Sequence, residues 1–334
     1  MTAEKRNKEA AREIAKIVRE NDDFLVVTHI YPDGDAIGSL TACHKMLESL
    51  GKNSVMVCNS ELPYQYKFLP GFKEIKMEDA LAGFGNKKHI CIILDCGDSR
   101  RTGLDLIKLK NSGCFLINID HHRSNDMFGD INMVDSHKSA TSEILFEFIY
   151  EHFRNKLDYD IAIGIYVGIL TDTGRFQYSN TTANVHRITG SLLEYGIYPS
   201  EVYGYIYESD PLGRFKLIQT VFDRINYIES LGLIYSYVLE NDFKKLDIPF
   251  YAQDGIIDLL RSAEGALITA LIKQIGNDLY KISLRTSERD IDLSSIAAGF
   301  GGGGHSTASA YKDSGSLNQV ISNLKDAIRK ETGK

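Results

Sequence analysis

Three absences narrow the reading of this 334-residue sequence. No apolar run reaches the ~18–20 residues that a membrane-spanning helix needs. The N-terminal stretch MTAEKRNKEAAREIAKIVREND is charged and has no signal-like apolar core, so a soluble, cytoplasmic protein with no membrane partner is expected. Basic residues are not in excess: 38 Lys and Arg against 45 Asp and Glu leave a net charge of -7. Proteins that bind long nucleic acid usually carry a basic surface. This balance therefore argues against a long duplex and favours a small anionic substrate held by metals and a few arginines. Finally, Cys43, Cys58, Cys91, Cys96 and Cys114 include no Cys-x-x-Cys pair. They read as small buried side chains of a protein in a reducing compartment.

The length suits two domains. A charged first segment places Ala11, Ile14, Ile17 and Val18 on one helical face. Three apolar runs, 24–28 (FLVVT), 89–94 (HICIIL) and 114–119 (CFLINI), predict strands of a buried parallel sheet, with an edge strand over 54–58. A helix over 36–50 separates the first run from that edge strand. The order predicts an α/β fold with an N-terminal doubly wound parallel sheet. Helical patterns follow over 141–153, 161–170 and 182–193. The second of these is apolar almost throughout, so periodicity does not separate helix from strand there. Prolines and glycines after residue 196 predict a linker over 197–213, between a domain of residues 1–196 and a smaller α/β domain of residues 214–334. The smaller domain is expected to hold strands 233–239, 265–273 and 278–285 and helices 251–261 and 317–331, with a glycine run, Gly301–Gly304, before the last helix.

Each strong strand ends in residues that bind metals. The first runs into His29, Asp33 and Asp35, where Pro32 and Gly34 break regular structure and let the three side chains converge. The second ends at Asp95 and the third at Asp120-His121-His122, while the segment GILTDTGRF supplies Asp172. One histidine at a strand end, or one Asp-Gly turn, is usually structural. Carboxylates and imidazoles at the ends of three neighbouring strands would repel one another and raise carboxylate pKa values unless cations were present. Nitrogen and oxygen donors without thiolate suit Mn2+, Mg2+ or Co2+.

The motifs HIYPDGD, ILDCGD, IDHH and GILTDTG, followed by SLRT and GFGGGGHS, resemble in order the DHH phosphoesterase superfamily with its C-terminal DHH-associated domain. The resemblance implies two metals, Mn2+ first and Mg2+ or Co2+ as alternatives. One would be held by His29, Asp33 and Asp95, the other by Asp35, Asp95, His121 and Asp172. Asp95 would bridge them and His122 would face the substrate phosphate, making these the two catalytic residues. Asp120 would orient a histidine, and residues 161–170 would form a buried helix presenting Asp172. Substrate contacts are implied for Arg285, Gly302, Gly303, Gly304, His305 and Ser306. Each also has a plain structural reading: a surface ion pair for Arg285, a loop for the glycines, a cap for His305 or Ser306. Arg101 is preferred over Arg100, Arg123 and Asn125 as a further phosphate contact. The short two-domain layout looks most like the oligoribonuclease/3′-phosphoadenosine-5′-phosphate (pAp) phosphatase group, acting on pAp and RNA of a few nucleotides. A cyclic di-AMP phosphodiesterase is the nearest alternative. A silent nucleotide-binding sensor is disfavoured because no implied metal ligand is missing. A homodimer is left open.

Overall fold

The computed structural model describes residues 3–77, 89–248, 250–253, 255–288 and 290–333. The chain divides into two units, Met1–Ser209 and Asp210–Lys334.

The first unit contains α1 (Ala3–Glu20), β1 (Asp23–Val27), α2 (Gly34–Ser49), β2 (Asn53–Val57), β3 (Ile90–Leu94), α3 (Leu106–Asn111), β4 (Phe115–Asp120), β5 (Ile131–Val134), α4 (Thr141–His152), α5 (Tyr159–Asp172), α6 (Ala183–Leu193) and α7 (Pro199–Tyr207). Its five strands pair in parallel in the order β2-β1-β3-β4-β5. Alternate residues of each strand feed opposite faces. Phe24, Val26, Ile92, Leu94, Ile117 and Ile119 join the large core beneath α1, α2, α4 and α5. Leu25, Val27, Cys91, Ile93 and Leu116 pack on the other side, with Leu106 and Leu109 of α3. Burial on both faces explains why these strands read as continuous apolar runs. The strand order reverses between β1 and β3, and in such sheets ligands bind beyond the strand ends at that point. All five cysteines are buried and free.

The apolar stretch 161–170 lies within the helix α5. This helix crosses α2 glycine on glycine: a Cβ on Gly38 would stand 2.3 Å from the Gly164 carbonyl oxygen, and one on Gly164 would stand 2.7 Å from that of Gly38. This close approach brings the last residue of α5, Asp172, towards the first turn of α2, which carries Asp35.

Residues 197–213 are not an open linker. Helix α7 occupies most of them, with Pro199 in its first turn, and buries Val202 and Ile206 in the large core. Proline is favoured at a helix start because its fixed φ suits the helix and its missing N–H is not needed there. These prolines therefore mark helix starts: Pro211 directly precedes α8 (Leu212–Asp223).

The second unit continues with β6 (Asn226–Ile228), β7 (Leu233–Val238), α9 (Glu240–Leu246), α10 (Ile256–Arg261), β8 (Ile268–Gly276), β9 (Leu279–Thr286), α11 (Leu293–Ala298), β10 (Gly303–His305), β11 (Ala308–Ser314) and α12 (Leu317–Thr332). The six strands run in the order β10-β11-β9-β8-β7-β6, and only β7 and β8 pair in parallel. Val320, Leu324 and Ile328 of α12 cover one face with α11. Leu217 and Val221 of α8, Phe243 of α9 and Ile256 of α10 cover the other. The predicted helix over 251–261 is shorter than expected: Gly255, at φ 78, precedes an α-helix that begins at Ile256. Among the described residues no helix is long and apolar enough to cross a membrane.

Candidate metal centre

The turns beyond β1, β3 and β4, the start of α2 and the end of α5 bring the predicted acids and histidines together. Donor atoms of His29, Asp33 and Asp95 lie within 4.8 Å of one another, as do those of Asp35, His121 and Asp172, and those of Asp95, His121 and His122.

Asp95 lies at the middle of this set. It follows β3 with a left-handed backbone, φ 56, and is 1% exposed. Asp tolerates this conformation better than most side chains. Its Oδ2 stands 3.6 Å from His29 Nε2, and its Oδ1 stands 3.6 Å from His121 Nε2. Burial alone would raise its pKa, but the neighbouring His29, His121 and His122 outweigh burial and hold the carboxyl well below the usual range. Thr141 donates its hydroxyl to Asp95 Oδ1 at 3.0 Å and so fixes the rotamer.

Asp33 caps α2 by accepting from the amides of Asp35 and Ala36, both at 3.1 Å. Asp35 is fully buried. Its Oδ2 accepts from Thr141 N at 2.6 Å and its Oδ1 from Ser142 N at 2.9 Å, so amides of the α4 N-terminus that have no partner within the helix hold it. A Cβ on Gly168 would lie 2.6 Å from Asp35 Oδ1, so only glycine leaves room for that carboxylate beside α5. Asp172 Oδ2 lies 3.2 Å from His121 Nε2. Burial first, then the charges of neighbouring carboxylates, pushes Asp35 and Asp172 well above the ordinary Asp range. Divalent cations would relieve that conflict, and the donors are only imidazole nitrogens and carboxylate oxygens. The nearest thiol in sequence, Cys96, donates instead to the Asp98 carbonyl at 3.1 Å. These residues therefore fit hard or borderline divalent ions.

Asp120 does not join the donor groups. Its Oδ1 lies 2.7 Å from His122 Nδ1, and its Oδ2 accepts from Asn125 Nδ2 at 2.6 Å. Burial opposes protonation of His122, but the hydrogen bond to Asp120 and the Asp95 charge prevail and raise its pKa to about 9. Arg101 Nη2 lies 3.1 Å from His29 Nδ1, whereas Arg100 is bound to Asp98 with Nη2 2.6 Å from Oδ2. Asn125 is engaged with Asp120 and Asn118. Sequence reasoning missed Thr141, Ser142 and Asn118. The Ser-Ala-Thr-Ser run opening a predicted helix was the available signal for the first two.

In the second unit, β11 lies between β10 and β9, with Ala308 pairing both His305 and Arg285. Arg285 Nη1 donates to the Leu284 carbonyl at 3.0 Å, and its Nε is 3.8 Å from Asp258 Oδ1. The glycine run is not a loose loop: Gly303 and Gly304 belong to β10. A Cβ on Gly302 would stand 2.3 Å from the Ala310 oxygen, and one on Gly304, at φ 141, would stand 2.5 Å from the Ala308 oxygen. These two glycines are explained by backbone packing. Gly303 has open space where a Cβ would be. Ser306 is exposed in the β10–β11 turn, and its carbonyl accepts from Leu293 N at 2.9 Å. The His305 side chain lies outside the described residues.

Residues 23–169 match the DHH family N-terminal domain, and residues 231–330 match the DHHA1 domain. The chain is 29% identical to the bifunctional oligoribonuclease and PAP phosphatase NrnA of Thermus thermophilus, over 97% of this chain and 94% of that protein. The crystal structure of an exopolyphosphatase-related protein from Bacteroides fragilis superposes with a TM-score of 0.88 at 24% identity, covering 97% of this chain and 96% of that one. RecJ of Thermus thermophilus, solved in complex with Mn2+, shares the fold at a TM-score of 0.60 and 12% identity, covering 98% of this chain and 55% of that one. With both domains matched in order and the acid–histidine cluster at the sheet's switch point, the chain carries a DHH-family N-terminal domain followed by a DHHA1 domain and is a hydrolase acting on phosphoester bonds.

Proposed function

We propose that this protein hydrolyses phosphoester bonds in short oligoribonucleotides and in pAp, releasing mononucleotides, with two Mn2+ ions as its cofactors. One observation carries the reading: Asp95 faces His29 with one oxygen and His121 with the other. A carboxylate so placed suits a bridge between two cations. His29 and Asp33 would complete one ligand set, and Asp35, His121 and Asp172 the other. Bound there, the cations would neutralise phosphate charge and make a water molecule acidic enough to supply the nucleophile.

The protein's own groups have separate tasks. Asp120 takes His122 Nδ1, leaving Nε2 to donate to a phosphate oxygen. The α4 amides and the Thr141 hydroxyl hold Asp35 and Asp95 in place before substrate arrives. Arg101 is the candidate for a second phosphate contact. In the DHHA1 domain, Arg285 with Gly302, Gly303, Gly304, His305 and Ser306 would bind the part of the nucleotide away from the cut. The substrate class is supported by similarity to the Thermus thermophilus enzyme over nearly the whole chain.

The test is release of AMP from pAp, from a dinucleotide RNA and from cyclic di-AMP, measured side by side with Mn2+. The proposal expects the first two to be cleaved well. Turnover of cyclic di-AMP alone, or of none of the three, would overturn it.

A further inference from the structure

Later in α2, His44 is 4% exposed, and its two ring nitrogens sit in different surroundings. Nδ1 lies 2.7 Å from Ser54 Oγ on β2. Nε2 is buried and makes no hydrogen bond. It faces two carboxylates, with Glu48 Oε1 at 3.6 Å and Glu74 Oε2 at 3.5 Å. Those separations exceed a normal N–H···O bond of about 2.7–3.2 Å. They are close to the spacing of two ligands on one tetrahedral cation, where bonds of ~2.0–2.1 Å put donors roughly 3.3–3.4 Å apart.

Three parts of the first unit build this arrangement. His44 and Glu48 are one helical turn apart on the same face of α2. Ser54 comes from β2. Glu74 comes from the segment that returns beside β2, where Lys76 N donates to the Met56 carbonyl at 2.9 Å. Gly71, at φ 82, lets that segment lie against the imidazole: a Cβ there would be 3.3 Å from His44 Cδ2.

Lys45 does not fill the site. Its Nζ binds Glu48 Oε2 at 2.8 Å and stands 3.8 Å from Glu74 Oε1, so it takes the opposite oxygen of each carboxylate. Burial lowers the His44 pKa, which favours the neutral ring. In the tautomer whose Nδ1–H donates to Ser54, the lone pair is on Nε2 and points at two anions. A cation between them would turn that repulsion into coordination.

We propose that His44, Glu48 and Glu74 form a second cation site, suited to a zinc-class divalent ion, that ties the segment around Glu74 to α2. His44 is nine residues beyond Asp35, roughly 13 Å along the helix at ~1.5 Å per residue, so this site is separate from the Asp95 centre. The outer sides of Glu48 and Glu74 are exposed, and water can complete the coordination.

The full-length protein, stripped of metal, is dialysed against micromolar Zn2+, and zinc per chain is counted by elemental analysis. The wild type should retain one more ion than Glu74→Gln or His44→Gln. Zinc should raise the melting temperature of the wild type by more than that of Glu74→Gln, which keeps only the Asp95 centre. Both variants should keep Mn2+-dependent hydrolysis, because neither residue belongs to the Asp95 centre. His44→Gln changes a buried residue, so if it loses its circular-dichroism signal, the exposed Glu74→Gln decides. Equal zinc in wild type and Glu74→Gln overturns the proposal, as does a zinc-induced melting shift as large in Glu74→Gln as in the wild type.

Discussion

Replacing Gly38 by alanine should damage the active site without touching a single candidate ligand. The new methyl group would meet the Gly164 carbonyl oxygen at 2.3 Å and the Gly168 amide nitrogen at 2.9 Å. Both are backbone atoms of a buried helix, so no side chain can rotate away. Restoring ordinary van der Waals contact requires α2 and α5 to part by roughly 1 Å. Overpacking of this kind costs about 1–3 kcal/mol. The better helix propensity of alanine returns up to ~1 kcal/mol, so a net loss of about 1–2 kcal/mol is expected. The functional effect should be larger in proportion. Asp35 lies in the first turn of one helix and Asp172 ends the other, and a misplacement of ~1 Å can cost on the order of 10²-fold in rate. The assay is kcat/KM on pAp together with thermal unfolding. Gly190→Ala in α6 is the control: nothing lies within 4 Å of its Cβ position, so it should be neutral or stabilising and fully active. Gly38→Ala with wild-type activity and an unchanged melting temperature would refute the claim that this helix crossing sets the ligand geometry.

Three further outcomes are expected. His122→Ala should retain both metals by elemental analysis and lose on the order of 10²-fold in kcat, the scale of one positioned donor; metal loss would make His122 a ligand instead. Arg285→Ala should slow hydrolysis of pAp and dinucleotide RNA while sparing bis-p-nitrophenyl phosphate, which lacks the remote group, and equal slowing of both would remove Arg285 from remote binding. In the second unit, Arg224 binds Asp242 through Nη1–Oδ2 at 2.6 Å and Nη2–Oδ1 at 3.0 Å, and Leu239 N adds a bond at 2.8 Å. Asp242→Asn should cost roughly 1.5–3 kcal/mol at neutral pH. Burial would raise the Asp242 pKa, but Arg224 lowers it further. The stabilisation is therefore complete above the unfolded value of about 3.9 and fades as pH falls through the lower native value. Chemical denaturation should show the gap between wild type and variant closing only in strong acid.

The parallel sheet was legible because β1, β3 and β4 are buried on both faces and leave continuous apolar runs. The strand β5, Ile-Asn-Met-Val, is too short and polar to stand out, and β11, Ala-Ser-Ala-Tyr-Lys-Asp-Ser, reads as surface. The glycine run left several readings open in the sequence. Glycine ordinarily marks a loop, but here Gly302 and Gly304 let β10 approach the β11 backbone, a pairing that only the fold reveals. At the centre, the chemical types at the strand ends could be read directly, since acids and histidines beyond adjacent strands have few structural uses. The supporting contacts could not. Thr141 reaches Asp35 across 106 residues of sequence, and the left-handed backbone of Asp95 has no sequence mark. The partner of Asp120 also required coordinates, because either histidine of the triplet could have taken its carboxylate.

The central claim is that one carboxylate serves two metal positions, and Asp95→Ala tests it most directly. Wild-type and variant protein are loaded with Mn2+, bound metal is counted by elemental analysis, and AMP release from pAp is measured on the same samples. The account predicts two Mn2+ per chain in the wild type, and in the variant loss of binuclear binding with nearly all turnover. Two Mn2+ per chain and full turnover in Asp95→Ala would contradict it.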